Sequence, residues 1–340
     1  MRNVTTDRIR WCMRCNLIIS SRKCPECKND AYNLHIGKGS ALSPIFHFQA
    51  DHIRRKVDEH YGVGCGIELI PDERTAFLEA CSGYKNILIN GGPVGRLYPD
   101  GDVSLNASGL GVISGRINGK KVTCDHDSSY FVTKGRNIMV TGISGIDGGL
   151  SKGDIVAVLD YKGIPIAEGI MKMSSGDIAT ADRGVAVNIR NNDCPRLNDG
   201  KRYNDWKQTL EVNGPTMESI IGEAVRNIRI MGDSYKYPFA VRLSSDVFSE
   251  ANLMLVLAAG YRPSLIISDS NDFTDYMSGK LGLDVIDDIP EKCILISDRN
   301  EDQTLDVIPH NPTDDWDQSM VWMYIMMRSE PFDPAYMREI

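Results

Sequence analysis

At 340 residues the chain is long enough for two or more domains, and with 42% hydrophobic and 25% charged residues it has an ordinary globular composition. It has no run of eighteen apolar residues, which argues against a membrane span, and the opening MRNVTTDRIRW lacks the apolar core of a secretory leader; a cytoplasmic location is expected. The net charge of -8 conceals a gradient: residues 1–60 carry 11 Lys/Arg against 6 Asp/Glu, 61–190 carry 13 against 14, and 191–340 carry 14 against 26. A polyanionic partner is therefore expected to meet the first half of the chain, and the acidic last third reads most simply as a solvated surface.

The first element is WCMRCNLIISSRKCPEC, with Cys12 and Cys15, then Cys24 and Cys27. Two C-x2-C pairs place two thiolates on each of two tight turns, which can close a sulfur tetrahedron around Zn2+. Arg14, Arg22, Lys23 and Lys28 offset part of the thiolate charge. Four cysteines leave no open coordination position, so a structural zinc ribbon is expected, with redox or iron chemistry as the alternative. The other five of the nine cysteines stand alone and read as small buried side chains, so no iron–sulfur cluster is expected.

Next, IFHFQADHIRRKVDEHYG predicts an amphipathic helix with Ile53 and Val57 inward. KNILINGGPVGRLYPDGDVSL predicts a hairpin turning at Asn90-Gly91-Gly92. From Phe131 to Arg190 short β-rich runs (IMVTGI, DIVAVLD, PIAEGIMKM, VAVNIR) alternate with glycine turns, the pattern of a small barrel or sandwich. The order Lys134-Gly135, Gly142-Ile143, Lys152-Gly153-Asp154, Gly169, Ser174-Ser175, Arg183-Gly184 resembles the PUA domain, an RNA-binding pseudobarrel, over 129–191. That resemblance implies RNA contact near the first helix and the loop after it. Here the matching positions are Lys134, Gly135, Arg136 and Gly142: two cations for phosphates and two glycines for close backbone approach. The alternative is that these are ordinary turn residues of a barrel kept for assembly.

TMESIIGEAVRNIRIM has apolar residues at 217, 220, 221, 224, 225 and 228, one helical stripe. A strand at 239–243, a turn, a helix at 247–259 ended by Gly260, and the strand SLIISD then suggest the start of a parallel α/β sheet. Further on stand Asp315-Trp316, Val321-Trp322, Tyr324-Ile325, Pro331-Phe332-Asp333-Pro334 and Tyr336. These stretches look like the phosphoadenosine phosphosulfate (PAPS) reductase family, which implies an adenine-nucleotide α-hydrolase-like, Rossmann-like fold. The whole order, zinc ribbon, PUA domain, helix and reductase-like domain, is similar to an archaeal subgroup of that family. In the family a glycine- and lysine-bearing loop joins the first strand to the first helix. Here that loop is Ser244, Ser245, Asp246, Val247, Phe248, Ser249, and Asp269 matches the aspartate ending the next strand.

Without glycine or lysine, and with Asp246 facing the phosphate position, the loop reads as the relic of a nucleotide site. A like-charge pair 4 Å apart costs about 4 kcal/mol at an effective dielectric of 20. No nucleotide cofactor and no catalytic residue are expected, although Asp246, Asp269 and Ser249 could form a repurposed site. The resulting expectation is a multi-domain α/β chain: zinc ribbon (1–40), connecting α+β region (41–128), PUA domain (129–191), linker with helix (192–236) and degenerate reductase-like domain (237–340). Its expected partners are RNA or a ribonucleoprotein through the first and third parts, and a protein at the Trp- and Met-rich end near Trp316, Trp322, Met326 and Met327. The alternatives are a sulfur-transfer enzyme, with Cys293 as the candidate thiol of the last domain, and a subunit of a complex without RNA.

Overall fold

The structure is a computed structural model, and it describes residues 9–34, 42–72, 76–195, 197, 205–268, 272–297, 306–330 and 332–334. They form two compact units: one holds the described residues of 40–206 with Met13–Leu17, the other those of 207–336 with those of 1–12 and 18–39. Among the described residues no helix is long and apolar enough to cross a membrane.

The first unit opens with a five-stranded antiparallel meander in chain order: Leu42–Pro44, Ala76–Cys81, Tyr84–Ile89, Gly92–Leu97 and Val103–Leu105. The helix His47–Tyr61 packs on it because Ala50, Ile53, Val57 and Tyr61 recur every three or four residues and meet Leu78, Ile87 and Val94 in one core. The hairpin turn is where the sequence places it. Asn90 (φ 51°) and Gly91 (φ 78°) both take positive φ, which a two-residue turn between twisted strands requires.

The barrel follows as a six-stranded sheet in the order Ile138–Met139, Val185–Asn191, Pro165–Met171, Ile155–Leu159, Lys121–Cys124, Ile143–Ile146. The sheet thus takes in a strand upstream of residue 129, and the run IMVTGI is broken by a 3-10 turn at Val140–Gly142. Val122, Val156, Val158, Ala167 and Val187 fill its interior.

A buried polar hub joins meander and barrel. Glu168, fully buried, accepts from the Tyr61 hydroxyl, the Ser104 hydroxyl and Leu105 N (2.9 Å), and lies 3.4 Å from Arg190 Nη1. Arg190 in turn meets Asp102 at 2.8 Å. Burial raises the Glu168 pKa, against the opposing pull of Arg190 and the hydrogen-bond donors.

In the second unit, four parallel strands stand in the order Ser264–Ile267, Phe239–Leu243, Cys293–Ile296, Val307–His310. Both flanking helices, Val247–Ala258 and Gln318–Arg328, are largely buried. The predicted stripe at 217–228 lies on a longer helix, Trp206–Tyr235, which runs through Pro215. On it Asn213, fully buried, accepts from Ser20 N (2.8 Å) and donates to Ile18 O (2.9 Å), clasping the edge of the N-terminal ribbon. One expectation is corrected here. Trp322 is fully buried and Trp316 is 7% exposed, packed edge-on against Phe332 and Tyr324 respectively. The tryptophans close their own core and are not available as a partner surface.

Candidate nucleic-acid interface and metal centre

The ribbon has three short strands, with Arg10–Cys12 paired antiparallel to Tyr32–Asn33. Cys12 ends the first strand, and each C-x2-C turn is followed by a residue in left-handed conformation, Asn16 (φ 57°) after Cys15 and Lys28 (φ 63°) after Cys27. In the second turn Lys28 N donates to Cys24 O (2.9 Å) and Lys28 Nζ to Pro25 O (2.6 Å). The four thiols lie within 4.8 Å of one another, and Cys12 and Cys27 sulfurs are 3.5 Å apart. A tetrahedron with Zn–S bonds of about 2.3 Å has edges of about 3.8 Å, so four soft sulfur donors at this spacing suit a tetrahedral metal ion. Cys12, Cys15 and Cys24 are buried and Cys27 partly so, a closed set.

Several hydrogen bonds close within the turn at 244–249. Asp246 caps the helix Val247–Ala258, its carboxylate accepting from Phe248 N at 2.8 Å. Ser249 Oγ accepts from Ser244 N (3.1 Å) and lies within reach of Ser244 O (3.0 Å) and Asp246 O (2.8 Å). Ser249 and Ser244 are buried, while Ser245 and Asp246 are exposed. The carboxylate thus sits on a helix N-terminus, where a bound anion would otherwise be held. Asp269, with Ser270 and Asn271, lies outside the described residues. Behind the turn is Glu250, which the sequence did not single out. It is 1% exposed, accepts from Asp333 N (3.1 Å), and burial pushes its pKa up to about 9, with the carboxylates of Asp333 and Asp246 adding to the rise. Cys293 is fully buried and burial raises its pKa, an environment that suppresses the thiolate.

On the barrel, the helix His126–Val132 is capped by Asp125, which accepts from Ser128 N at 2.7 Å. It buries Ser129 and Val132, leaving Tyr130 63% and Phe131 56% exposed. Lys134 Nζ lies 5.7 Å from the Tyr130 ring centre, and the His126 ring stands 4.8 Å from that of Tyr161. Lys134, Gly135 and Arg136 are exposed in the turn after the helix. Gly135 takes φ 76° and its N–H closes on Val132 O, while Arg136 N closes on Phe131 O. Gly142 is different. It is buried, and a Cβ there would sit 2.1 Å from Ser128 Oγ, so its bareness serves packing of the helix. A PUA-domain family model matches residues 120–192. Residues 120–192 form a PUA domain.

The uncharacterized protein MJ0066 of Methanocaldococcus jannaschii is 22% identical over 267 residues, 74% of this chain and 55% of that protein, so the chain spans about half of that relative's length. Hypothetical protein PH0734.1 of Pyrococcus horikoshii OT3 and a PUA-domain protein of Thermoplasma acidophilum each superpose at a TM-score of 0.40 and 21% identity, covering 46% of this chain and 96% of theirs. An H/ACA ribonucleoprotein bound to a substrate RNA matches at 30% identity and a TM-score of 0.22, covering 23% of this chain and 24% of that one. Lys134 and Arg136, expected from the sequence, are exposed close to two aromatic side chains that the sequence analysis does not single out, Tyr130 and Phe131. The signal was present: Tyr130 and Phe131 stand side by side just before Lys134 and Arg136.

Proposed function

We propose that the chain is an RNA- or ribonucleoprotein-associated protein that acts by binding, with its PUA domain as the RNA contact and its ribbon held by structural zinc. The observation that carries this reading is the exposed pairing of aromatic rings and cations on one face: Tyr130 and Phe131 beside Lys134 and Arg136. Exposed rings stack on unpaired bases and neighbouring cations meet phosphates, so one face supplies both terms of RNA affinity. The PUA match itself supports the same assignment.

The C-terminal unit is read as a PAPS-reductase-like domain without nucleotide chemistry. Its parallel sheet and the strand–turn–helix at 239–258 support the likeness, and the self-capped turn at Asp246 supports the loss of function.

Fluorescence anisotropy with labelled cellular RNA tests the RNA role. The double variant Lys134→Glu, Arg136→Glu is expected to weaken binding across sequences and to flatten its salt dependence. Tyr130→Ala and Phe131→Ala are each expected to lose about 1–3 kcal/mol per base stacked. No binding by the wild-type protein at low salt overturns the assignment. Co-purification with and without nuclease separates an RNA-bridged partner from one held by the C-terminal unit.

A further inference from the structure

The turn that carries Lys134 and Arg136 has no apolar side chain to anchor it. Its five residues, Thr133 to Asn137, are polar or glycine, and all are exposed. Lys134 N and Arg136 N both close on Phe131 O at 3.0 Å, and Gly135 N closes on Val132 O at 2.8 Å. Those bonds curl the turn onto its own helix. An exposed turn of this kind keeps much of its conformational freedom unless something else ties it down.

Two asparagines tie it to the far side of the barrel, one at each end. Asn192 Nδ2 donates to Thr133 O at 2.9 Å, and Asn137 Oδ1 accepts from Ile189 N at 3.0 Å. Both bonds run to one piece of chain, the last barrel strand Val185–Asn191 and the residue after it. The Asn192 amide also lies beside the middle of the turn: a Cβ on Gly135 would stand 3.8 Å from its nitrogen and from its oxygen. Asn192 is itself fixed by its neighbours. Asn191 is buried, and its Oδ1 accepts from Asp193 N at 3.3 Å. Asp193 O accepts from Ala107 N at 2.9 Å, and its carboxylate meets Arg96 at 2.7 Å. The residues on either side of Asn192 are thus held away from the turn, and Asn192 reaches it.

We propose that Asn192 and Asn137 are positioning residues, which hold Lys134 and Arg136 in their RNA-binding arrangement before RNA arrives. This rests on the PUA face being the RNA contact. A residue that touches RNA strengthens the complex once formed. A positioning residue instead raises the fraction of free protein competent to bind. Removing an anchor therefore slows association and leaves dissociation unchanged, because in the complex the RNA itself holds both cations.

Stopped-flow anisotropy of the full chain with labelled cellular RNA tests this. One hydrogen bond of ordinary net strength shifts an equilibrium about fivefold, so Asn192→Ala and Asn137→Ala are each expected to slow association by up to about fivefold, and the double variant by more. Dissociation rates and the salt slope should stay at wild-type values, since both cations remain. In the RNA-free protein, hydrogen exchange read by mass spectrometry should quicken at the amides of 134–136 and stay unchanged in the strands Ile155–Leu159 and Pro165–Met171. Four results overturn the proposal: unaltered association in the double variant, a loss that lies in dissociation, exchange at 134–136 as slow as in wild type, or exchange that quickens equally across the barrel. Absence of RNA binding by the wild type overturns the assignment of the face and this proposal with it. Equal binding by wild type and double variant overturns the positioning role alone.

Discussion

Replacing Glu250 by glutamine is expected to stabilise the C-terminal unit at neutral pH. Glu250 is 1% exposed, and its pKa stands at about 9 against the usual 4.5, first because burial disfavours the charged form. A folded-state pKa above the unfolded value means the native protein holds the proton more tightly. Its contribution is fully present below about pH 4.5 and is lost as pH rises towards 9. At about pH 7 the unfolded carboxyl has gained roughly 2.5 pH units of ionisation, which at 1.36 kcal/mol per unit is about 3 kcal/mol of lost stability. Glutamine keeps the shape and the acceptor for Asp333 N but has no proton to lose. The advantage of Glu250→Gln should therefore be about 3 kcal/mol near pH 7 and under about 1 kcal/mol near pH 5. Urea unfolding followed by tryptophan fluorescence in a Trp206→Phe background, which leaves Trp11, Trp316 and Trp322 of this unit, reads it. If wild type and variant show the same stability difference at both pH values, Glu250 is not a buried neutral acid and the reasoning fails.

Three other outcomes are expected. The purified chain should contain about one zinc per molecule, and Cys12→Ser and Cys24→Ser should each abolish it; undiminished metal content by mass spectrometry in both variants would refute the closed four-sulfur site. Asp246→Ala should remove the helix cap at a cost of about 1 kcal/mol and leave Phe248 N–H open to an anion, so calorimetry with AMP, ATP and PAPS should show no binding to wild type and no weaker binding to the variant. Tight wild-type binding that Asp246→Ala destroys would instead make the turn a working nucleotide site. In the first unit, Glu168→Gln should cost about 3 kcal/mol by leaving Arg190 buried with less countercharge, and Tyr61→Phe only about 1 kcal/mol. Denaturant midpoints shifted equally by the two changes would show that Glu168 is not the hub.

What the chain's own order determined was local. The two C-x2-C turns, the Asn90-Gly91 turn and the barrel's alternation of strands and glycines each depend on residues only a few positions apart, so spacing alone announces them. The first breaks in legibility come where tertiary packing overrides a local preference. Pro215 ordinarily ends a helix, yet Trp206–Tyr235 continues through it, because burial of its inward face and the clasp of Asn213 on Ile18 and Ser20 outweigh the lost bond. Asp246 is an aspartate after a strand in either reading. Only the fold reveals that its carboxylate is turned onto its own helix. The protonation of Glu250 and the burial of Trp316 and Trp322 arise from segments tens of residues apart coming together. Dielectric and access belong to that assembly, and neither is written in the neighbours of a residue along the chain.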